Sequence, residues 1–314
     1  MGAINRKFIG LSQYRAPLCY ELAGKHFHIV LDEGREYSLQ FLDGENVQIA
    51  EKGQSYVWES YECLKGDETT FFVHIMPAAT GGKINHTWVL DTEQRLVTLV
   101  LMEEDFDPEY PRLVRITPFF GAIKVPGREL PTIRHHLSRR MVGRHIFWHY
   151  NPGFAIQHIY QDAITCRAST GSTDSKEAMR RRLEDMLSSE DPDTRAQGEE
   201  ELRRYTEREK FYPFYEEPCF HIWIKDSLNL LCFVEEIMMR RAPERNYGGG
   251  GILLLQNIER VVDYGLCFNV GEYYLVTAYG DENEDGDALD GVESPYDWSQ
   301  LKAMPSIRWE IPEE

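Results

Sequence analysis

The sequence predicts a mainly β protein built as two tandem antiparallel β-barrels, with a helical insertion in the second. Three observations predict it. Short strand patterns follow one another with turn residues between them, the opening hairpin recurs later in the chain, and only the second copy contains a charged helical stretch.

Residues 1–19 show no clear period and read as an arm packed on the body. From Gly24 the pattern is β: KHFHIVLD, the Glu33-Gly34 turn, then REYSLQFLD, with Tyr37, Leu39 and Phe41 on one face, because alternate residues of a strand share a side. YVWESYECL, FFVHIM, HTWVLD and RLVTLVLM follow at short intervals, separated by Gly53, Lys65-Gly66-Asp67, Gly81-Gly82 and Asp91-Thr92. Evenly spaced short strands with such punctuation indicate a barrel or sandwich. Residues 105–142 are rich in proline (Pro108, Pro111, Pro118, Pro126, Pro131) and then arginine, and read as a connector holding one extra strand, RITPFFGAI.

The second copy opens at Gly143–Asp162, GRHIFWHYNPGFAIQHIYQD, two strands joined by an Asn151-Pro152-Gly153 turn. Laid on Gly24 at an offset of 119, it repeats Gly24/Gly143, His26/His145, Gly34/Gly153 and Asp43/Asp162. A second block, VLDTEQRLV (Val89–Val97), resembles LLQNIERVV (Leu254–Val262) at an offset of 165. The difference, 165 − 119 = 46, is taken up by residues 172–210, whose pattern is helical. Asp174 and Glu177 suit a capping box, Met179, Leu183, Met186 and Leu187 form an apolar stripe, and Asp191-Pro192 restarts a second helix. The stripe is expected to pack on the second barrel or on a partner subunit of a homodimer. The units expected are therefore an arm (1–19), a barrel with its connector (20–142) and a barrel with an insertion (143–314).

Composition narrows the function. A net charge of −18 argues against nucleic-acid or anionic-membrane surfaces, which demand clustered cations. The six cysteines are scattered without CxxC spacing, which suits a reducing compartment better than a disulfide framework. No apolar run resembles a signal peptide or is long enough to span a bilayer. A cytoplasmic protein is expected.

The segment GKHFHIVLDEGREY (Gly24–Tyr37) resembles the opening hairpin of bacterial phenolic acid decarboxylases, which have a calycin (lipocalin-like) barrel. The whole chain is more similar to the molybdenum cofactor biosynthesis protein F (MoaF) family, through Gly24–Met102 and, in the second copy, HIYQDAITCR and HIWIKDSLNLLCFVEEIM. That resemblance implies two calycin-like barrels. The decarboxylases use two tyrosines on the first strand, a glutamate and an arginine. By that correspondence the tyrosine positions fall on Ile29 and Leu31 in the first copy and on Trp148 and Tyr150 in the second. The glutamate position falls near Met76 and near Glu235 or Glu236, and the arginine has no counterpart. The second barrel is therefore the expected seat of any chemistry.

The same correspondence turns Ile146, Trp148 and Tyr150 inward and His145 and His149 outward. Tyr150, His158 and Glu235 then become candidate acid–base residues in one pocket, with Trp148, Ile156 and Tyr160 lining it. A buried carboxyl has a raised pKa and can exchange protons near neutrality. In the first barrel His86 and Trp88 share a face and are candidate ligand contacts. No metal is expected, because there is no HExxH and no Cys/His pairing at ligand spacing. The adjacent His135-His136 pair has no partner at such spacing. Gly248 to Gly251 reads as a loop, and Asp281 to Gly286 lacks the twelfth-position glutamate of a calcium loop. Two readings result: a cofactor-independent lyase or isomerase acting on a small hydrophobic or aromatic molecule, and a non-catalytic carrier or accessory protein linked to molybdenum cofactor biosynthesis.

Overall fold

A computed structural model of the chain describes residues 15–105, 114–151, 154–160, 162–170, 181–211, 215–235 and 250–282. Eight strands form the first barrel: β1 (His26–Leu31), β2 (Glu36–Phe41), β3 (Asn46–Glu51), β4 (Val57–Lys65), β5 (Thr70–Ile75), β6 (Ile84–Asp91), β7 (Leu96–Glu104) and β8 (Val114–Lys124). Each pairs antiparallel with the next, and β1 pairs with β8 to close the ring. The stretch read as an extra strand in a connector is thus β8, the closing strand. Pro118 sits within it, opposite Val100.

After β9 (His136–Leu137) the second barrel runs β10 (His145–Asn151), β11 (Phe154–Tyr160), β12 (Thr165–Thr170), β13 (Tyr215–Lys225), β14 (Leu228–Val234), β15 (Gly251–Asn257), β16 (Val262–Asn269) and β17 (Glu272–Glu282). Pairing of β10 with β17 and of β12 with β13 closes these eight, and β9 lies along the other end of β13. Both barrels are antiparallel rings in chain order. Closure leaves no open sheet edge.

The insertion lies between β12 and β13. Residues 181–187 are helical (α1), and Pro192–Phe211 form α2. Asp191 caps α2 by accepting the Thr194 N–H at 3.1 Å, and Pro192 occupies a first-turn position where its missing N–H costs nothing. Leu183 is buried, and Arg182 bridges to Glu201 on α2 at 3.0 Å. The Asp174/Glu177 box and Met179 lie outside the described residues.

The register carries the repeat into space. Phe27 pairs with Leu39, and Ile146 with His158, so the two opening hairpins superpose at the offset of 119. The later block needs a correction. The β6–β7 and β15–β16 turns are both four residues long, and each ends on a left-handed non-glycine residue, Arg95 (φ 60) and Val261 (φ 47). The equivalent positions therefore differ by 166, not 165. Aliphatic residues occur on both faces of these strands, so ungapped similarity slid by one position, and a one-residue slip exchanges the faces.

Three cores result. Phe27, Ile29, Leu39, Phe41, Trp88, Leu90, Val97 and Leu99 fill the first barrel, with Cys19 of the arm and Leu22 just after it. Ile146, Trp148, Tyr150, Tyr160, Leu231, Leu254 and Ala278 line the second. The third core lies between the barrels, where Leu64, Phe72, Val89, Val100, Met102 and Ile116 meet Ile222, Leu228, Leu230, Leu253, Leu266 and Phe268. Lys225 pins this face. Its ammonium lies 3.1 Å from Asp67, 3.6 Å from Asp91 and 3.6 Å from Glu93, and donates to Thr69 Oγ1 at 3.0 Å. Among the described residues, no helix is long and apolar enough to cross a membrane.

Candidate functional site: the interior of the second barrel

Strand periodicity turns Tyr150 on β10, Ala278 on β17, Asp263 on β16, Gln256 on β15 and Asn229 on β14 inward. The ladder places the last four opposite one another in succession: Ala278 with Asp263, Asp263 with Gln256, Gln256 with Asn229. Tyr150 donates its hydroxyl proton to Asp263 Oδ2 at 3.2 Å, while Oδ1 accepts the Ala278 N–H at 2.9 Å. Burial pushes the Asp263 carboxyl up to about 7, against the downward pull of those two hydrogen bonds. Burial and the neighbouring Asp263 hold the Tyr150 phenol well above its ordinary range. The carboxyl is therefore the group that changes charge near neutrality, and the phenol remains a donor.

A second set of polar groups adjoins this pair. Asn229 Nδ2 donates to Gln256 Oε1 at 2.9 Å, and Gln256 Nε2 donates to the Tyr160 oxygen at 2.7 Å. The Tyr160 hydroxyl has His158 Nδ1 3.3 Å away, and Asn229 Nδ2 has His221 Nδ1 at 3.1 Å. An amide N–H can only donate, so His221 accepts at Nδ1. Tyr160, already an acceptor, is free to donate to His158 Nδ1. Both imidazoles are thus assigned as neutral, with the proton on Nε2. Burial agrees, pushing His158 and His221 each down to about 3. Asn229 Oδ1 is buried and has no hydrogen-bond partner among the described residues.

The apolar part of the lining is set by close packing. Trp148 is fully buried and lies opposite Gly280, where a Cβ would stand 2.9 Å from the indole and 2.5 Å from Val261. Ile156, opposite Trp148 on β11, packs at the edge of the same core. Phe233 lies edge-on to His158, their ring centres 6.1 Å apart.

The candidates separate as follows. Tyr150, His158, Tyr160, Trp148 and Ile156 all belong to the second barrel's interior, and Tyr160 touches His158. Glu235 follows the last residue of β14, six positions beyond Asn229, about 20 Å of extended strand. It lies near Cys267, which burial raises, and near Tyr274, which the Cys267 thiol and burial raise, and its charge adds a smaller push to each. The carboxylate against Tyr150 is Asp263, which the sequence reading did not select. In the first barrel Trp88 is fully buried against Tyr37, ring centres 5.3 Å apart, and His86 lies 6.5 Å from Trp88. Burial pushes His86 down to about 4. Its Nδ1 and Trp88 Nε1 are buried without partners among the described residues. No three His, Cys, Asp or Glu among the described residues are grouped so as to hold a metal ion.

Fold and interior together define a protein of two antiparallel eight-stranded barrels, one of which encloses a buried tyrosine–carboxyl hydrogen bond. Residues 5–103 match the MoaF N-terminal domain family. This part of the chain, from the arm into β7, is thus similar to a MoaF N-terminal domain. None of the curated proteins matches the chain.

Proposed function

We propose that the second barrel binds a small hydrophobic or aromatic molecule and moves protons on it without a cofactor, as a cytoplasmic lyase or isomerase would. The observation that carries this reading is the Tyr150–Asp263 pair. A carboxyl near 7 can take a proton from carbon or oxygen at neutral pH, and a phenol that stays protonated can polarise a ligand carbonyl or hydroxyl. Asn229 Oδ1 offers the bound molecule an acceptor that none of the described residues uses. Asp263 acts as base, Tyr150 as donor, and Trp148 and Ile156 as apolar walls. His158 and Tyr160, low and high in pKa, fix polarity rather than exchange protons.

The chain from Asn229 through Gln256 and Tyr160 to His158 favours a second reading. Apart from Asn229 Oδ1 its members find their partners in one another, so a substrate is not needed to hold them, as in a non-catalytic carrier or accessory protein. Molybdenum cofactor biosynthesis would be the setting that the family name suggests.

One experiment separates the two. Small aromatic and 1,3-dicarbonyl compounds that raise the melting temperature are incubated with the protein in heavy water, and C–H to C–D exchange is followed by proton NMR. The enzyme reading expects exchange that falls at least about 100-fold in Asp263→Asn. Tyr150→Phe should slow it while leaving affinity within about tenfold, or 1.4 kcal/mol. Binding without exchange, unchanged in both variants, would leave the carrier.

A further inference from the structure

We propose that Cys19 and Cys63 form a peroxide-responsive dithiol that fastens the N-terminal arm to the first barrel. Strand β3 accompanies β4 only as far as Ser60. Beyond it the arm takes over that side of β4, and the Cys19 N–H donates to the Cys63 carbonyl at 2.8 Å. Both side chains enter the core of the first barrel, where the two thiols act on each other. The Cys63 thiol donates to the Leu64 carbonyl, 3.3 Å from its sulfur. The Glu21 N–H and, more weakly, the Lys65 ammonium favour the Cys19 thiolate, while burial and the Glu21 carboxylate, 2.7 Å from Lys65, oppose it.

These contacts divide the roles. The adjoining Cys63 thiol pushes the Cys19 thiol down to about 6, so at neutral pH it is mostly thiolate. Burial pushes Cys63 far the other way, so it keeps its proton. Cys166, Cys219, Cys232 and Cys267 are all raised by burial and lack a thiolate to react.

The oxidant is hydrogen peroxide or a small alkyl hydroperoxide. The Cys19 thiolate attacks one peroxide oxygen and the O–O bond breaks. Cys19 becomes a sulfenic acid, and the departing hydroxide takes a proton from solvent to leave as water. The Cys63 sulfur then attacks the Cys19 sulfur. An S–S bond forms, the S–O bond breaks, and the hydroxyl leaves as water with the Cys63 proton. Two thiols and one hydrogen peroxide give one disulfide and two waters, the sulfurs oxidised and the peroxide reduced.

The test uses the full chain treated with hydrogen peroxide and analysed by intact mass and non-reducing peptide mapping. The wild type should lose the mass of two hydrogens, yield a Cys19–Cys63 cross-linked peptide and revert with dithiothreitol. Its melting midpoint should rise by on the order of 5 °C, because the closed loop restricts the unfolded chain. In Cys63→Ser the sulfenic acid has no resolving thiol, so dimedone should label Cys19 at least about tenfold above any other cysteine. Cys19→Ser should give neither the cross-link nor labelling of Cys63. The proposal is overturned if the wild type forms no Cys19–Cys63 link, or if Cys19 in Cys63→Ser is labelled no faster than the other cysteines.

Discussion

The two barrels share a frame and differ in what they enclose. At equivalent positions the first places Leu31, Leu39, Phe41, Leu90 and Val97 where the second places Tyr150, His158, Tyr160, Gln256 and Asp263. The hairpins match in length and even in their left-handed turn residues, so the backbone does not determine which interior is polar. A closed ladder satisfies its own backbone groups whatever the lining. Side chains are thus free to change, provided each buried polar group finds a partner. In the second barrel nearly every one does. Asp263 has Tyr150 and the Ala278 N–H, and Gln256 has Asn229 and Tyr160.

The sharpest way to break this comparison is to move one polar group without its partners. Val97→Asp copies Asp263 into the first barrel, where Leu31 stands in place of Tyr150 and supplies no hydroxyl. An unpaired buried carboxyl should cost about 4 kcal/mol, read from urea unfolding. The seam between the barrels should be nearly as sensitive. Lys225→Ala leaves the fully buried Asp91 facing Asp67 without a cation, and a loss of about 3 kcal/mol is expected in the same assay. The exposed Arg203–Glu200 pair should give under about 0.5 kcal/mol when either partner is removed.

A pH series sharpens the contrast further. Asp263, raised to about 7, keeps a proton in the folded chain that the unfolded chain has released. Its favourable contribution is complete below the ordinary carboxylate range and is lost as pH rises through about 7. His158 and His221, lowered to about 3, contribute in the opposite sense. Their contribution is whole above the ordinary imidazole range and is lost as pH falls through about 3. Asp263→Asn cannot ionise. Its stability relative to wild type should therefore climb by on the order of 4 kcal/mol between about pH 4 and pH 7, then level off. Unfolding of both proteins across that range checks the sign, and a difference independent of pH would refute the assignment. A similarly small effect belongs to the shared turn. Arg95→Gly should gain about 0.5 kcal/mol by relieving the positive φ, less whatever its contact with the Glu129 carbonyl at 3.1 Å provides.

Much of this was legible in the sequence, and the failures have a common cause. The strands, the turn glycines and the opening repeat follow from period two and turn chemistry. Tyr150 was placed inward by the correspondence with the decarboxylase tyrosines, and His158 because it shares a strand face with Ile156 and Tyr160. Asp263 was missed because VVDYGLCF looks like an ordinary half-buried strand. Val262, Tyr264, Leu266 and Phe268 make the apolar face, which leaves Asp263, Gly265 and Cys267 for solvent. In the fold both faces are covered. Leu266 and Phe268 point at the other barrel, and the face carrying Asp263 points inward. Periodicity reports which face is more apolar, not which is the barrel's inside. The same double burial misaligned the second repeat block by one residue. β8 escaped recognition as a ring member because its proline argued for a connector, although Pro118 falls opposite Val100 within the ladder.

The shared face has a consequence for how the chain can be divided. A polypeptide ending after β8 would close its ring and still carry Leu64, Phe72, Val89, Val100, Met102 and Ile116 on an oily flank, with Asp67 and Asp91 lacking their ammonium. The other half would carry the matching flank and a stranded lysine. Two fragments made separately should therefore be poorly soluble apart and reassemble when mixed, as complementary subunits do. The covalent link between the barrels then acts chiefly as a device for concentration. It holds at permanent close range two surfaces that already have reason to find each other.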